Sequence, residues 1–277
     1  MKKTININGK SYGEEQLFVI AGPCVIEDDS VMLKTADTLK QIESKYKLPV
    51  IYKSSFQKDN RSSAGYYAGP GIDAGLKILA RIKQEYGFPL ITDVHYPDQI
   101  DEVKSVVDVL QIPAYQCMQT TLVTAAAATA KAINLKHGQF IAPENMIYPV
   151  RKVETQNNFN IMLTERGYTF GYNDLIVDPR AFYHLNAIGY PVVFDITHSI
   201  RRYGIPSASP EGGSRQYLNT IARAGVAAGI DGLFIEVHPE PARALCDAAS
   251  QMCITDLEEF IQPLIDLHET EKKYRKQ

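Results

Sequence analysis

The stretch GIDAGLKILARIKQEYGFPLITD, residues 71–93, contains the two kinds of element that alternate along the whole chain. Its first part, up to Gly87, spaces apolar residues at the three- and four-residue intervals of an amphipathic helix. PLITD (89–93) is then a short apolar run, typical of a strand that is covered on both faces. This run ends in a carboxylate, Asp93. The pattern predicts a helix packed on a parallel sheet, with a polar group at the carboxyl end of the strand.

Seven further apolar runs resemble PLITD, and helix-length amphipathic segments separate them. The eight predicted strands are LFVIAG (17–22), PVIYK (49–53), PLITD (89–93), VDVLQ (107–111), AINLK (132–136), NIMLT (160–164), PVVFDIT (191–197) and GLFIE (232–236). Eight strands, each followed by a helix, predict an α/β fold, a (β/α)8 TIM barrel that forms a single domain over residues 1–277. A doubly wound open sheet is the alternative, but no GxGxxG follows the first strand. The opening TININGKSYG predicts a short β-hairpin that turns at Asn8-Gly9.

Composition and charge argue against several classes of protein. The 29 Lys and Arg residues nearly balance the 32 Asp and Glu residues, so we expect no general attraction to nucleic acid or membranes. No apolar run approaches the roughly 18 residues of a membrane helix, and the N-terminus lacks the apolar core of a signal peptide. Cys24, Cys117, Cys246 and Cys253 have no CxxC spacing. They predict a reduced, cytoplasmic protein whose cysteines are buried or bind an ion.

The residues at the strand ends are the strongest indication of function. In a barrel, the carboxyl ends of all eight strands meet at one mouth, where active sites lie. Contact of loops with water would explain a few polar groups there, but not so many reactive ones. The groups are Cys24, Lys53, Ser55, Lys58, Asp93, His95, Gln111, Lys136, Glu165, Arg166, Asp195, His198, Glu236 and His238. We therefore expect an enzyme rather than a scaffold.

Anion binding is the first chemistry that such a mouth could support. Five cations would surround it in a chain of net charge −3; they are Lys53, Lys58, Arg61, Lys136 and Arg166. Any one of them could be a solvated side chain, but together they predict a substrate with several negative charges, such as a phosphorylated one. The stretch KDNRSS (58–63) adds an amide and two hydroxyls beside Arg61, which indicates a second phosphate-binding position.

Metal binding is the second chemistry. Cys24, His198, Glu236 and Asp247 would meet only if the barrel places its first, seventh and eighth strands side by side. A thiolate, an imidazole and two carboxylates suit a divalent ion such as Fe, Mn, Co or Zn. Structural roles also stay open: packing for the cysteine, a salt bridge from Glu236 to a lysine of the mouth, and a turn cap for Asp247.

Two histidines are candidates for acid–base chemistry. His95 and His238 follow predicted strands, and histidine is the side chain most easily tuned near neutral pH. Asp93 could position His95. The sequence does not decide between catalysis and ordinary hydrogen bonding for either histidine.

Nine motifs together resemble one known family. They are FVIAGPCVIE, YKSSFQKDNRSS, GPG, ITDVH, VLQIPA, NLKHGQF, TERGYTFGYNDLIVD, FDITHS and FIEVHPEPARALCD. As a set, over about residues 17–270, they are similar to those of 3-deoxy-D-manno-octulosonate 8-phosphate (KDO-8-phosphate) synthases, in the superfamily of the 3-deoxy-arabino-heptulosonate 7-phosphate (DAHP) synthases. The resemblance implies a homotetrameric barrel that condenses phosphoenolpyruvate with arabinose 5-phosphate and water, releasing phosphate.

The resemblance also implies roles for individual residues. Lys136 and Arg166 would bind the phosphate of phosphoenolpyruvate with the backbone of Ala114, and Lys58 its carboxylate. Asn60, Arg61 and Ser62 would bind the phosphate of the aldose. The predicted catalytic residues are His95, Asp93, Lys58, His198 and Asp247, and the predicted substrate-binding residues are Lys53, Ser55, Lys58, Asn60, Arg61, Ser62, Gln111, Ala114, Lys136 and Arg166.

The residue after the first strand separates two classes of the family. Members with Cys there depend on a metal ion, and members with Asn do not. Cys24 therefore implies the metal-dependent class, with His198, Glu236 and Asp247 as the other ligands.

Two departures from the family pattern leave the acceptor open. Met118 stands where the family has an Arg that reaches a neighbouring subunit's sugar-phosphate pocket, and the loop 199–215 is unlike the usual one. Arg201 or Arg202 is a candidate replacement for that cation. The alternatives are the same condensation with another phosphorylated aldose, such as erythrose 4-phosphate as in DAHP synthases, and a non-catalytic barrel that binds a phosphorylated ligand.

Overall fold

The computed structural model describes residues 3–13, 16–169, 174–207 and 209–275. Its first elements are the strands β1 (Ile5–Ile7) and β2 (Lys10–Tyr12), which pair antiparallel. Between them, Asn8 and Gly9 have φ of 53° and 79°, the positive values that a tight two-residue turn requires and that Asn and Gly adopt readily. The predicted hairpin is confirmed. Its buried side chains pack against the apolar interior of the main sheet.

Eight parallel strands within these described ranges form a closed ring. They are β3 (Phe18–Gly22), β4 (Val50–Lys53), β5 (Leu90–Asp93), β6 (Val109–Ile112), β7 (Ala132–Lys136), β8 (Ile161–Glu165), β9 (Val192–Asp195) and β10 (Gly232–His238). Strand β10 pairs with both β3 and β9, which closes the ring. A short strand, β11 (Met252–Cys253), pairs parallel with the carboxyl end of β10. The predicted TIM barrel is confirmed, and the open sheet is excluded.

Helices occupy the connections between the strands. In the described ranges they are α1 (Asp29–Tyr46), α2 (Ile72–Tyr86), α3 (Ile100–Val106), α4 (Thr120–Ala127), α5 (Ile147–Glu154), α6 (Pro179–Ile188), α7 (Leu218–Ala227) and α8 (Leu257–Arg275). Helix α1 begins where the Asp28 side chain accepts a hydrogen bond from the Val31 amide, and α2 ends at Gly87, whose φ is 71°. None of the helices in the described part of the chain is long and apolar enough to cross a membrane.

The predicted strand boundaries differ from the observed ones by one or two residues, and β9 shows why. We predicted a strand to Thr197, but β9 ends at Asp195. The Asp195 carboxylate accepts hydrogen bonds from the backbone N–H of His198 at 2.9 Å and from the Thr197 hydroxyl at 3.2 Å, which turn the chain. Residues 170–173 of the motif TERGYTFGYNDLIVD and residue 208 of the loop 199–215 lie outside the described residues.

The interior of the barrel changes from apolar to charged along the strands. Ile51, Ile91, Val109, Met162, Val193 and Phe234 form an apolar layer near the hairpin. Because side chains alternate between the two faces of a strand, the residue two positions later points to the same interior. Those residues are Lys53, Asp93, Gln111, Thr164, Asp195 and Glu236, and all are buried. The barrel therefore delivers a ring of polar groups to its carboxyl end.

Candidate active site

Two adjoining cavities open at the carboxyl ends of the strands. The larger, about 370 Å³, is the strand-end cavity, and its lining includes Lys53, Lys58, Asn60, Arg61, Asp93, His95, Gln111, Ala114, Lys136, Arg166 and His198. The smaller, about 220 Å³, is the loop cavity. It shares six residues with the first and adds Ser62, Arg201, Arg202, Tyr203, Cys246 and Asp247 among others. The structure thus brings most of the predicted site residues to one place.

Ser55 is a predicted substrate-binding residue that lines neither of these two cavities. It is fully buried, and its hydroxyl donates to Asp93 Oδ2 at 2.6 Å. Ser55 therefore acts on the cavity through Asp93 and not by direct exposure to it.

Asp93 stands at the end of a hydrogen-bond chain that crosses four strands. Thr164 donates to Asn134 at 2.6 Å, Asn134 donates to Gln111 at 2.8 Å, and Gln111 donates to Asp93. Each hydrogen bond orients the next side chain. Asp93 accepts an N–H from Gln111 on one oxygen and the O–H of Ser55 on the other. A carboxylate in this arrangement is an acceptor only, which favours its ionised form.

The charges around Asp93 set the protonation states of its neighbours. Lys58 Nζ lies 3.6 Å from Asp93 Oδ2. Burial alone would raise the pKa of Asp93, but the charges of Lys58 and Lys53 hold it well below its usual range. Burial likewise opposes the charge on Lys58, yet Cys24, Asp93 and other anionic neighbours hold its pKa well above the usual value. The two groups therefore form a charged pair.

His95 is neutral beside this pair. Burial lowers its pKa from the ordinary histidine value, and this effect outweighs the opposing charge of Asp93. Its Nδ1 is buried and has no hydrogen-bond partner in the described part of the chain. The residue lines the strand-end cavity, so its neutral ring stands next to the space that a substrate would fill.

Lys136 and Arg166 line the same cavity but differ in their partners. Lys136 forms an ion pair with Asp195, and its Nζ lies 3.6 Å from the centroid of the Phe234 ring. Burial lowers the pKa of Lys136 despite Asp195. Arg166 Nη1 contacts the Tyr203 hydroxyl at 3.3 Å, and no carboxylate of the described residues lies within 4.0 Å of its guanidinium. Arg166 is therefore the more available of the two for an anion.

A buried pair holds the strand ends that carry these cations. Glu165 Oε1 accepts the backbone N–H groups of Arg166 at 2.9 Å and Gly167 at 2.6 Å. Its Oε2 lies 2.8 Å from His137 Nδ1, and His137 Nε2 lies 2.9 Å from the Ile141 carbonyl oxygen. Both side chains are fully buried. The sequence analysis did not assign a role to His137; its position directly after Lys136 was the available signal.

Three of the predicted metal ligands form a compact group. His198 Nε2 lies 3.8 Å from Glu236 Oε2 and 3.6 Å from Asp247 Oδ2. The other ring nitrogen, Nδ1, lies 2.8 Å from Asp195 Oδ2, an arrangement that commonly orients metal-binding histidines. Glu236 Oε2 is buried with no donor in the described part of the chain. These residues fit a divalent cation, which would satisfy that oxygen.

Glu236 also forms the salt bridge that the sequence left open. Lys53 Nζ lies 2.9 Å from Glu236 Oε1, and both side chains are buried. Burial would raise the pKa of Glu236, but Lys53, His198 and Lys58 lower it. One oxygen of Glu236 is therefore neutralised by a lysine, and the other remains available to an ion.

Cys24 lies in a second group, which shares Asp247 with the first. Ligand atoms of Cys24, Cys246 and Asp247 lie within 4.8 Å of one another. Asp247 has a φ of 48°, a left-handed conformation that Asp tolerates better than most residues. Cys246 was not among our predicted ligands. A thiol directly before a predicted carboxylate ligand was the only signal for it.

Met118 and the arginines of the loop 199–215, where the chain departs from the family pattern, lie in different places. Met118 lines neither cavity, and its carbonyl accepts a hydrogen bond from Lys152. Arg201 Nη1 donates to Asp247 Oδ1 at 2.6 Å, and Arg202 Nε lies 3.1 Å from Asp174. Both arginines line the loop cavity.

His238 lies away from the two cavities that hold the other candidates. It is buried, with Nε2 3.4 Å from Glu27 and Nδ1 accepting the backbone N–H of Glu240 at 2.9 Å. Its contacts are those of a hydrogen-bonded structural histidine.

Comparisons with known proteins identify the family. The sequence profile of the DAHP synthetase I family matches residues 3–273. The chain belongs to this family. Its similar relatives within the family include the 2-dehydro-3-deoxyphosphooctonate aldolase of Trichlorobacter lovleyi, which is 46% identical over 265 residues, 95% of this chain and 97% of the relative.

Two further relatives carry the same name. The protein of Pelobacter propionicus is 45% identical over 95% of this chain and 97% of its own length, and that of Fusobacterium nucleatum is 45% identical over 92% and 91%. This name is a synonym of KDO-8-phosphate synthase, so the resemblance drawn from the nine motifs is confirmed.

Proposed function

We propose that this chain condenses phosphoenolpyruvate with arabinose 5-phosphate and water, giving 3-deoxy-D-manno-octulosonate 8-phosphate and phosphate. The observation that carries the proposal is the strand-end cavity, where Lys58, Arg61, Lys136 and Arg166 gather beside neutral His95. Two phosphorylated substrates need such a set of cations. The names of relatives that match nearly the full chain support the same reaction.

The donor would be held by the cations on strands β7 and β8. Arg166, which has no carboxylate partner in the described residues, would bind the phosphate of phosphoenolpyruvate together with Lys136 and the backbone at Ala114. Lys58 would pair with the carboxylate, with Lys53 nearby. Gln111 would orient Asp93 at the reaction centre through its hydrogen bond.

The acceptor would extend into the loop cavity. Asn60 and Arg61 line both cavities and Ser62 lines the loop cavity, so these three residues would bind the phosphate of the aldose. The aldehyde carbon would then face the donor in the strand-end cavity. Exclusion of bulk water from this pocket would strengthen every electrostatic contact within it.

The reaction joins C3 of the enol to the aldehyde carbon, while water adds at C2. The aldehyde oxygen gains a proton to become a hydroxyl. Phosphate then leaves with the electrons of its C2–O bond, and the hydroxyl that water placed on C2 loses its proton and becomes the ketone oxygen. His95 would accept the proton of the attacking water, since its ring is neutral and the residue lines the strand-end cavity. Asp93 would stabilise positive charge on His95.

The ligand set Cys24, His198, Glu236 and Asp247 would hold a divalent ion, either Fe, Mn, Co or Zn. Such an ion would supply Lewis acidity that polarises the oxygen of the aldehyde or of the attacking water. His198 and Asp247 belong to the catalytic set through this role. Support comes from the buried, unpartnered Glu236 oxygen and from the spacing of the ligand atoms.

Phosphate release tests the proposal directly. Protein loaded separately with each of the four ions is assayed with phosphoenolpyruvate and arabinose 5-phosphate, and we expect turnover that depends on both substrates. The product is identified by mass spectrometry. Failure of every metal form to release phosphate would contradict the reaction.

Another phosphorylated aldose is the second candidate acceptor. The loop cavity carries Arg201, Arg202 and Tyr203, which favours a phosphorylated acceptor without specifying its length. Parallel assays with arabinose 5-phosphate and erythrose 4-phosphate compare kcat/KM. A higher value with erythrose 4-phosphate would assign the chain a DAHP synthase activity.

We further propose a homotetramer of single-domain subunits in a reducing cytoplasm. The tetramer follows from the family resemblance, and free thiols at all four cysteines agree with a reducing compartment. Light scattering of the purified protein measures the assembly, and a monomeric mass would contradict it.

A further inference from the structure

Two thiols face each other beside the proposed ion site. Cys24 Sγ and Cys246 Sγ lie 3.0 Å apart, and both side chains are buried. This separation is shorter than the roughly 3.5–4.0 Å of ordinary contacts between packed carbon atoms. Two buried sulphurs at this separation are close enough to be ligands of one cation.

A single buried side chain holds the two cysteine backbones in place. The backbone N–H of Cys24 donates to Gln251 Oε1 at 3.2 Å, and Gln251 Nε2 donates to the Cys246 carbonyl at 2.8 Å. Gln251 is fully buried, and its own N–H donates to the Asp247 carbonyl at 3.1 Å. The side chain and the backbone of one residue therefore tie Cys24, Cys246 and Asp247 together. Such support is characteristic of a preorganised site.

The thiol pair is continuous with the carboxylate and imidazole ligands. Asp247 belongs both to the group with Cys24 and Cys246 and to the group with His198 and Glu236. The buried Glu236 Oε2, which has no donor in the described residues, lies 3.8 Å from His198 Nε2. The two groups of ligand atoms therefore adjoin each other through Asp247.

A cation already stabilises the second sulphur. Arg61 Nη1 donates to Cys246 Sγ at 2.9 Å and lies 4.0 Å from Asp247 Oδ1. A metal-bound thiolate keeps lone pairs that can accept such a hydrogen bond, so the contact with Arg61 is compatible with coordination.

We propose that Cys246 supplies a second sulphur ligand to the ion held by Cys24, His198, Glu236 and Asp247. The inference deepens the proposed function and rests on its ion site. Two thiolates in the ligand set select a soft, thiophilic ion, so that Zn²⁺ or Fe²⁺ is preferred over Mn²⁺. Cys246 would also link the ion to Arg61, a proposed ligand of the aldose phosphate.

Cobalt spectroscopy counts the sulphur ligands independently of activity. The full-length apo protein is titrated with Co²⁺ alone, and the sulphur-to-cobalt charge-transfer band is measured in the near ultraviolet. We expect Cys24→Ser and Cys246→Ser each to lose about half of the band, because each removes one of two thiolates. Cys253→Ser, a half-buried cysteine outside the site, is the matched control and should keep the full band.

The cobalt spectra distinguish failure of the second sulphur ligand from failure of the whole ion site. A full band in Cys246→Ser, with the band lost in Cys24→Ser, would overturn the second sulphur and leave the ion site intact. No band in the wild type would overturn both. If Cys246→Ser does not fold, Cys246→Ala and the circular dichroism of each apo variant replace it.

Metal competition gives a second readout. In the wild type, Zn²⁺ should displace Mn²⁺ from the site at a low ratio of Zn²⁺ to Mn²⁺. In Cys246→Ser the preference for Zn²⁺ should fall by about 10-fold or more. An unchanged preference would contradict the inference.

Discussion

The two sides of the barrel mouth balance their charges in opposite ways. On the cation side, which comprises Lys53, Lys58, Lys136 and Arg166, the protein supplies carboxylates for the lysines, such as Asp195 for Lys136. The ion side comprises Cys24, Cys246, His198, Glu236 and Asp247. There, a buried Glu236 oxygen has no donor among the described residues, and two sulphurs face each other. The cation side retains one available guanidinium, and the ion side retains several acceptors.

This difference indicates which ligand each side accepts. A lysine that is already paired adds little net charge, so an incoming phosphate is attracted chiefly by Arg166 and displaces few protein contacts. Buried acceptors without donors destabilise the protein unless a cation reaches them. We therefore expect the same mouth to bind an anion on one side and a cation on the other.

Loss of the ion side should have the largest effect. Cys24→Ala, or exhaustive chelation of the wild type, should lower turnover by about 1,000-fold or more, because Lewis acidity of an ion contributes several kcal/mol to such reactions. Phosphate release measures the loss, and circular dichroism checks that the fold is retained. Cys253→Ala is the control. Full turnover after chelation would place the chain in the metal-independent class.

Loss of the Arg166 guanidinium should have the second largest effect. Arg166→Ala should lower kcat/KM for phosphoenolpyruvate by about 100-fold, since hydrogen bonds to charged groups contribute about 1.5–3 kcal/mol. Arg166→Lys should keep part of the wild-type kcat/KM, because the lysine retains the positive charge but loses the bidentate hydrogen bonds of the guanidinium. The matched control is Arg180→Ala, an exposed arginine paired with Asp178. Equal losses in the two alanine variants would contradict the role of Arg166.

The buried pair beneath the cation side should have a smaller effect. Glu165→Ala should raise KM for phosphoenolpyruvate by about 10-fold with little change in kcat, because Arg166 loses the acceptor of its backbone N–H. Glu165→Gln keeps an acceptor oxygen and should recover most of the binding. Glu154→Gln, another hydrogen-bonded glutamate, is the control. A loss confined to kcat would refute the positioning role.

The smallest effect is a shift in the titration of His95. Burial lowers its pKa, so NMR should find a value below the ordinary 6.5, with the ring neutral until the solution is more acidic than that. Asp93 acts to raise this pKa, so Asp93→Asn should lower it further. His95→Gln assigns the resonance. A pKa above 6.5 in the wild type would be inconsistent with a neutral base.

The fold and most of the mouth could be predicted because both depend on local patterns. Asn8-Gly9 indicated the hairpin, and alternation placed Asp93 two residues after Ile91 on the same interior face. Cys246 was not predicted as a neighbour of Cys24, because nothing in the sequence distinguishes it from a cysteine that only packs. Their contact depends on closure of the strand ring and on the side chain of Gln251. The sequence does not indicate that this side chain bonds the backbones of Cys24 and Cys246.

Closure of the ring by β3 and β10 has a consequence for biosynthesis. Cys24 follows the first strand of the barrel and Asp247 follows the last, so the ribosome must release almost the whole polypeptide before the two can meet. A nascent chain contains Cys24 long before the other residues of the proposed ion site have been synthesised. Uptake of the ion would therefore mark completion of the protein, and cells short of that ion would accumulate finished but unmetallated barrels.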